Sequence, residues 1–523
     1  MKGASAAASL RALWAKQDGS GLLLVGAWLL LALLCGAALP LLGVLVPAAF
    51  LALGVVLAVF LFSPLALIGS LLGLSFLVVG QLTFFAGVSQ AVWLPYLLLV
   101  LISVKCLMEA FRPQAAPVRL PTSAPGALLL LFLLVFAASA VVNRVGPLPL
   151  LVAAKNYLFP WFLTLLMLQT LVAPEALRRV WLFFLWLVPL QLPFALVQHF
   201  VFARLPGASW DAVVGTFGGN FLRGGGSGGM AICVGFGLLL ALALRRAGQI
   251  GRGLLLTVWL SGLATIALAE VKIFFLMLPV GLVLLLRREL LRHPLRALSG
   301  LLGVLLLLGA VGWVYQQVYS ETLNRTRTVE GLLDYAFQAE SDPYLFNPVT
   351  RELSRSGALL MWARYNDLDD HRAWLGHGPA ASRESATLGQ GGLTRKYPFT
   401  LTTSTASTLL WDTGLAGLGA FLLVCASAGL VALRLARRRE RDGQAWQAAT
   451  LEAAGVMLLL ELPLAFYNRD AIDVPARQVL LAFLLGHVLM CRRGPPGQGD
   501  AWPAPRGGDV KPPEPPVSAG ARA

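Results

Sequence analysis

The residues best suited to chemistry gather in one polar stretch, 316–405, that interrupts a chain otherwise built of apolar runs. It holds Arg325, Arg327, Arg351, Arg355, Arg364, Arg372, Arg383, Arg395 and Lys396, and two of the chain's five histidines, His371 and His377. Guanidinium forks match the oxygens of a phosphate, and fixed cations stabilise a departing diphosphate. The set therefore predicts an anion clamp. For any single arginine the competing reading is a solvated pair with Glu340, Glu352, Asp367, Asp369, Asp370 or Glu384. His377 lies between Gly376 and Gly378. An imidazole titrates in the range that base work near neutrality needs, with Glu384 as the substitute base. Holding the glycine turn is the other role open to this histidine.

Two further stretches resist a purely structural account. Gly215-Thr216-Phe217-Gly218-Gly219-Asn220 continues through Arg223 to Gly224-Gly225-Gly226-Ser227-Gly228-Gly229. Glycine permits positive φ and close backbone approach, so the segment suits a re-entrant turn or an anion nest, against a merely flexible loop. Glu270-Val271-Lys272 sits between apolar runs. Charge beside the membrane core is usually paired or functional, so Lys272 is either a substrate contact or half of a local ion pair.

The elements that must position these residues are membrane helices. The chain has 523 residues, 57% hydrophobic and 13% charged. A soluble domain cannot cover its surface with so few polar groups, whereas a lipid bilayer solvates apolar side chains and the helix satisfies its own backbone. The reading is an all-α, polytopic integral membrane bundle of about 12–14 spans, each needing roughly 20 apolar residues. Spans are placed near 21–39, 43–62, 64–80, 91–108, 125–142, 157–173, 180–203, 229–244, 253–269, 273–286, 298–315, 406–433, 449–466 and 478–491. An N-terminal part, 21–315, follows a cytoplasmic segment, 1–20; the extracytoplasmic loop 316–405 comes next, then helices over 406–491 and a disordered cytoplasmic tail, 492–523. Within the loop, 350–375 is expected to form an amphipathic helix.

Charge fixes the orientation. With the N-terminus inside, alternate loops collect Lys105/Arg112/Arg119, Arg178/Arg179, Arg245/Arg246/Arg252, Arg287/Arg288/Arg292/Arg296 and Arg434/Arg437/Arg438/Arg439/Arg441. Arg492 and Arg493 open the tail on the same side. This is the positive-inside pattern. It accounts for the net charge of +15 without nucleic acid, and anionic membrane lipids are the partners of these clusters. The loop arginines fall on the wrong side for that rule, so orientation does not explain them. The five cysteines have no paired spacing that would announce a disulfide framework or a metal site. No phosphate-cradling glycine loop followed by Lys-Ser or Lys-Thr is present. No cofactor is expected.

Three patterns add a family resemblance. Gly215–Asn220 precedes a span; Leu375-Gly376-His377-Gly378-Pro379 follows Arg351 and Arg355; and Trp411-Asp412-Thr413-Gly414-Leu415-Ala416-Gly417 opens a later span. In this order the chain resembles the bacterial O-antigen ligase and O-antigen polymerase superfamily, which includes exopolysaccharide polymerases, over roughly residues 125–490. That family often carries His-Asn before the last element, where this chain has Thr403 and Ser404, and a Ser-Arg pair where this chain has Glu270-Val271-Lys272. These departures weigh against lipid A ligation and towards a polymerase or a divergent ligase. The resemblance implies metal-independent glycosyl transfer from an undecaprenyl-diphosphate-linked oligosaccharide to a glycan or lipid acceptor hydroxyl, at the periplasmic face of a bacterial inner membrane. A chain-length regulator and a flippase would be its protein partners. In that scheme Arg351, Arg355 and His377 are the catalytic candidates, and Arg223, Lys272, Gly376, Gly378, Arg383 and Glu384 bind substrate. A secondary transporter or lipid-linked glycan flippase is the alternative; a non-catalytic assembly subunit is a second.

Overall fold

The computed structural model describes residues 62–110, 123–170, 174–293 and 352–493, with short interruptions that include Trp210, Phe221, Arg223, Lys272, 386–388 and 398–399, and a few positions near 295–309 and 346–347. The expected spans at 21–39 and 43–62, most of that at 298–315, and the tail lie outside the described residues, as do Arg351, Arg223 and Lys272.

The chain is an all-α polytopic membrane protein. Among the described residues eight helices are long and apolar enough to cross a bilayer, or nine if one bent pair counts as a single span. In chain order the helices of the bundle begin with α1 (Pro64–Phe84), which contains a π-helical turn at Leu74–Val78, α2 (Leu94–Ala110) and α3 (Ala124–Val142). The bent pair is α4 (Pro147–Tyr157) and α5 (Trp161–Thr170), broken by 58°. Where 157–173 was expected to be one straight span, Pro160 removes a backbone donor and the chain turns there. Next come α6 (Pro174–Val197), ending in a second π turn at Gln198–Phe202, α7 (Ser227–Arg246), α8 (Arg252–Ala269) and α9 (Phe274–Arg292).

The 350–375 segment forms two short helices rather than one amphipathic helix: α10 (Arg355–Tyr365) and α11 (His371–Leu375). Ser354 caps the first and Asp370 the second. The aspartates between them favour turns and caps over a helix interior. After α12 (Gly392–Lys396) the bundle resumes with α13 (Thr405–Arg441), α14 (Ala445–Tyr467), the single turn α15 (Asp470–Asp473) and α16 (Pro475–Arg493). The span expected over 406–433 is longer and not straight, because Gly414, at φ 69° and ψ −168°, breaks α13 near its start.

Packing brings the basic clusters to one end. Arg246 pairs with Glu289, and with Glu452 at 3.4 Å; Arg288 pairs with Glu440; Arg439 donates to the Cys491 carbonyl and Arg493 to the Leu168 carbonyl. Two of these partners, Cys491 and Leu168, are carbonyls near helix C-termini, where cations complement the helix dipole. The polar loop, the glycine-rich segment and α15 come together at the opposite end, where Thr405 N–H donates to the Asn468 carbonyl and Arg469 to the Thr402 carbonyl.

Candidate functional site

Two glycines at that opposite end set the position of everything else. A Cβ on Gly376 would lie 2.4 Å from the Asp412 carbonyl carbon, and one on Gly414 would lie 2.3 Å from the Trp374 carbonyl carbon. Both have positive φ, +73° and +69°. The loop and the broken helix α13 thus meet backbone to backbone, which only glycine allows. His377 N–H seals the contact by donating to the Trp411 carbonyl at 2.8 Å.

Asp412 locks the same junction. Its carboxylate is wholly buried and accepts hydrogen bonds from Ala380 N–H (3.1 Å), Ser382 N–H (3.0 Å), the Ser382 hydroxyl (2.6 Å) and the Tyr157 hydroxyl (2.8 Å). A carboxylate so saturated is a structural anchor, with no lone pair left to serve as a base. It also holds Ala380, which takes φ +67°, unusual for a residue with a Cβ.

Arg383 is attached to this anchor. Its side chain is 10% exposed, faces Asp412 at 3.6 Å and is paired with Asp473, and its guanidinium lies 5.3 Å over the Tyr157 ring. Burial alone would push the guanidinium pKa down, but Asp473, Tyr157 and Asp412 together more than reverse it. Arg383 therefore stays charged and committed to the protein. Glu384 pairs by its backbone with Gln390.

Arg355 is held differently. Its guanidinium stacks 4.0 Å over the ring of Tyr467, and Nε donates to the Tyr467 carbonyl. Among the described residues neither of its terminal nitrogens has a hydrogen-bond acceptor, and no carboxylate forms an ion pair with it. Two residues beyond Tyr467, Arg469 is half exposed, reaching Asp473 at 3.4 Å and the Thr402 carbonyl at 3.3 Å. Asp470 completes the rim. Asn468 Nδ2 donates to its carboxylate at 2.7 Å, and burial pushes its pKa up to about 6 even though Arg477 and Arg469 pull it down. Gly228, at the start of α7, leaves room for that carboxylate: a Cβ there would lie 3.1 Å from Asp470 Oδ2.

His377 sits apart from this rim. Its Nε2 lies 2.8 Å from Asn366 Oδ1, and the Asn366 amide is oriented because its Nδ2 donates to the Trp362 carbonyl at 2.9 Å. Nε2 must then carry the proton, leaving Nδ1 as the acceptor of a neutral imidazole. Burial, aided by Arg372 and Lys396, pushes the pKa down to about 4. The ring lies 5.5 Å from that of Trp411. This geometry fits the turn-holding role better than base work, since a base so weak is mismatched to neutral pH.

The first part of the glycine-rich segment, through residue 218, is a buried coil. Gln198, in the π turn of α6, accepts from Val214 N–H and Gly215 N–H and donates to the Gly215 carbonyl. Gln191 accepts from Thr216 N–H at 2.8 Å. Gly225 N–H, the nest amide placed by the structure, is already taken by Asp211 Oδ2 at 2.8 Å.

Of the residues expected from sequence, Gly376, Gly378, His377 and Arg383 cluster around Asp412, while Arg355 lies with Arg469 and Asp470 at the rim. Sequence reasoning did not single out Arg469, Asp470, Asp473 or Tyr157. The signal available for the first three was a charged turn, Arg469-Asp470-Ala471-Ile472-Asp473, between two apolar runs on the loop's side of the membrane. No family model matches this chain, and no curated protein matches it.

Proposed function

We propose that this chain is a membrane glycosyltransferase of the O-antigen polymerase or ligase type, moving a glycan from an undecaprenyl-diphosphate carrier to an acceptor hydroxyl at the periplasmic face of a bacterial inner membrane. The observation that carries the reading is Arg355: a cation from the polar loop, fixed on the ring of Tyr467 with its terminal nitrogens unused among the described residues, with Arg469 two residues beyond that tyrosine in the chain. Such a pair can hold a diphosphate without first breaking a strong internal ion pair.

The acceptor oxygen forms a bond to the anomeric carbon as the bond from that carbon to the diphosphate oxygen breaks. The electron pair leaves with the diphosphate, where Arg355 and Arg469 offset the growing charge. The hydroxyl proton passes to Asp470, whose pKa near 6 suits a base working at neutral pH. Arg383, Asp412 and Gly376 position the rim and do not touch substrate.

The test is product growth from a synthetic undecaprenyl-diphosphate oligosaccharide by the purified protein in liposomes. Arg355→Ala and Arg469→Ala should each lower the rate by roughly 10²–10³-fold, the range for losing one transition-state donor. Asp470→Asn should lower the rate at neutral pH by roughly 10²–10⁴-fold, the range for general acid–base catalysis, and leave the residual rate without the fall below about pH 6. Undiminished elongation by both arginine variants would sink the clamp.

One observation favours transport of the lipid-linked glycan instead. Glu461 and Arg477 form an ion pair within the helix bundle, with side chains 2% and 1% exposed, and charge at membrane depth marks the pathways of transporters. Transbilayer movement of a labelled donor without product growth would select that reading.

A further inference from the structure

Lys155 lies in the last turn of α4, immediately before the 58° break. Its ammonium sits 4.7 Å over the ring of Trp93 and 5.2 Å over that of Tyr96. Among the described residues no carboxylate is within ion-pair distance of it and no acceptor takes its protons. Two π faces thus fix the position of a charge without neutralising it.

The ordinary explanation is an aromatic belt with a lysine snorkelling to the membrane surface. The geometry argues against it. Tyr96 is 1% exposed and its hydroxyl donates to Gln478 Oε1, so it faces the protein interior and not lipid. Gln478 in turn donates to the Asn156 carbonyl, tying the ring to the residue next to Lys155. The cage is built into the bundle.

Its neighbourhood is the rim. Asp473 and Arg383 are close enough to act electrostatically on Lys155, and Asp473 also pairs with Arg469. Lys155, Arg355, Arg383 and Arg469 outnumber Asp412, Asp470 and Asp473 by one charge, and Arg383 is already spent on its carboxylates. Broken membrane helices commonly build substrate sites at the break.

We infer that Lys155 binds a phosphate group of the lipid-linked donor, anchoring the diphosphate from the helix side while Arg355 and Arg469 hold it from the loop side. This rests on the donor assigned above, though not on glycosyl transfer occurring. Binding separates the two: a missing reaction with intact Lys155-dependent binding defeats only the enzyme reading.

The experiment measures binding of undecaprenyl diphosphate to the full chain in nanodiscs, with undecaprenol, inorganic diphosphate and phosphatidylglycerol as competitors. Lys155→Gln should weaken undecaprenyl diphosphate about tenfold or more, as expected for one charge-assisted hydrogen bond, and Lys155→Arg should keep most of the affinity. Undecaprenol should compete poorly, and inorganic diphosphate should compete more strongly when Lys155 is present than in Lys155→Gln. Unchanged affinity in Lys155→Gln overturns the proposal, and so does equal competition by phosphatidylglycerol, which would make the site a general headgroup contact. If Lys155→Gln does not fold, amine labelling of the unmodified chain decides: undecaprenyl diphosphate should protect Lys155, and absence of protection overturns the inference.

Discussion

Asp412 and Asp470 lie at the same end of the bundle, each near an arginine, yet their surroundings differ in kind. Asp412 is buried beneath the loop and takes hydrogen bonds from two backbone amides and two hydroxyls, with Arg383 beside it. Asp470 has the Asn468 amide and a pKa pushed up to about 6 by burial that its neighbours do not fully offset. The arginines divide in the same way: Arg383 is paired on two sides, and Arg355 is stacked on Tyr467. Saturated charge fixes shape, because removing one partner strands the other in a low-dielectric interior. Under-compensated charge is costly to keep, and a ligand can repay that cost. The region around Asp412 is therefore the frame, and the turn around Asp470 is where chemistry belongs.

The strongest way to break this division is at the frame. Gly414→Ala places a Cβ against the Trp374 carbonyl and demands a left-handed backbone, itself costing about 1–3 kcal/mol before any collision. Loss of monodisperse protein in detergent is the expected outcome; a normal thermal unfolding curve would show that the junction is not a frame. Asp412→Ala should follow, costing about 3–5 kcal/mol because Arg383 and four donors lose their acceptor. Thermal unfolding of the purified variant measures it.

Acid sharpens the comparison through opposite signs. His377 has its folded pKa lowered to about 4, so its contribution to stability is present above about 6.5 and is lost as pH falls towards 4. Asp470 has its folded pKa raised to about 6, so its contribution is present below about 4 and is lost as pH rises through 6. His377→Phe should remove part of the acid-side loss, and Asp470→Asn should stabilise the protein at neutral pH, both read from unfolding midpoints across pH 4–8. The smallest effect is expected at the rim: Arg469→Ala should change stability by no more than about 1 kcal/mol, since its pair is half exposed. A large loss there would place Arg469 in the frame.

The legible part of the site was the loop. Arg355 stood out because a cation on that side contradicts the rule that orients membrane helices. The glycines 376 and 414 stood out as patterns, but their partnership was invisible: they touch only because α11 and α13 cross. Tyr157 was hidden in an apolar run, although its hydroxyl reaches an aspartate 255 positions away. Gln191 and Gln198 were likewise read as part of a span, and they instead hold the backbone of 214–216.

Composition and the spacing of apolar runs were enough to make this chain a polytopic helical membrane protein, because a bilayer acts on each segment separately and local hydropathy carries the answer. Charge along the chain likewise sorted the basic clusters to one end. Which loop charges are buried, which are paired and which are left to meet a ligand was decided only by packing. Arg383 meets Asp473 across 90 positions, and no local pattern encodes a contact whose energy depends on what surrounds it.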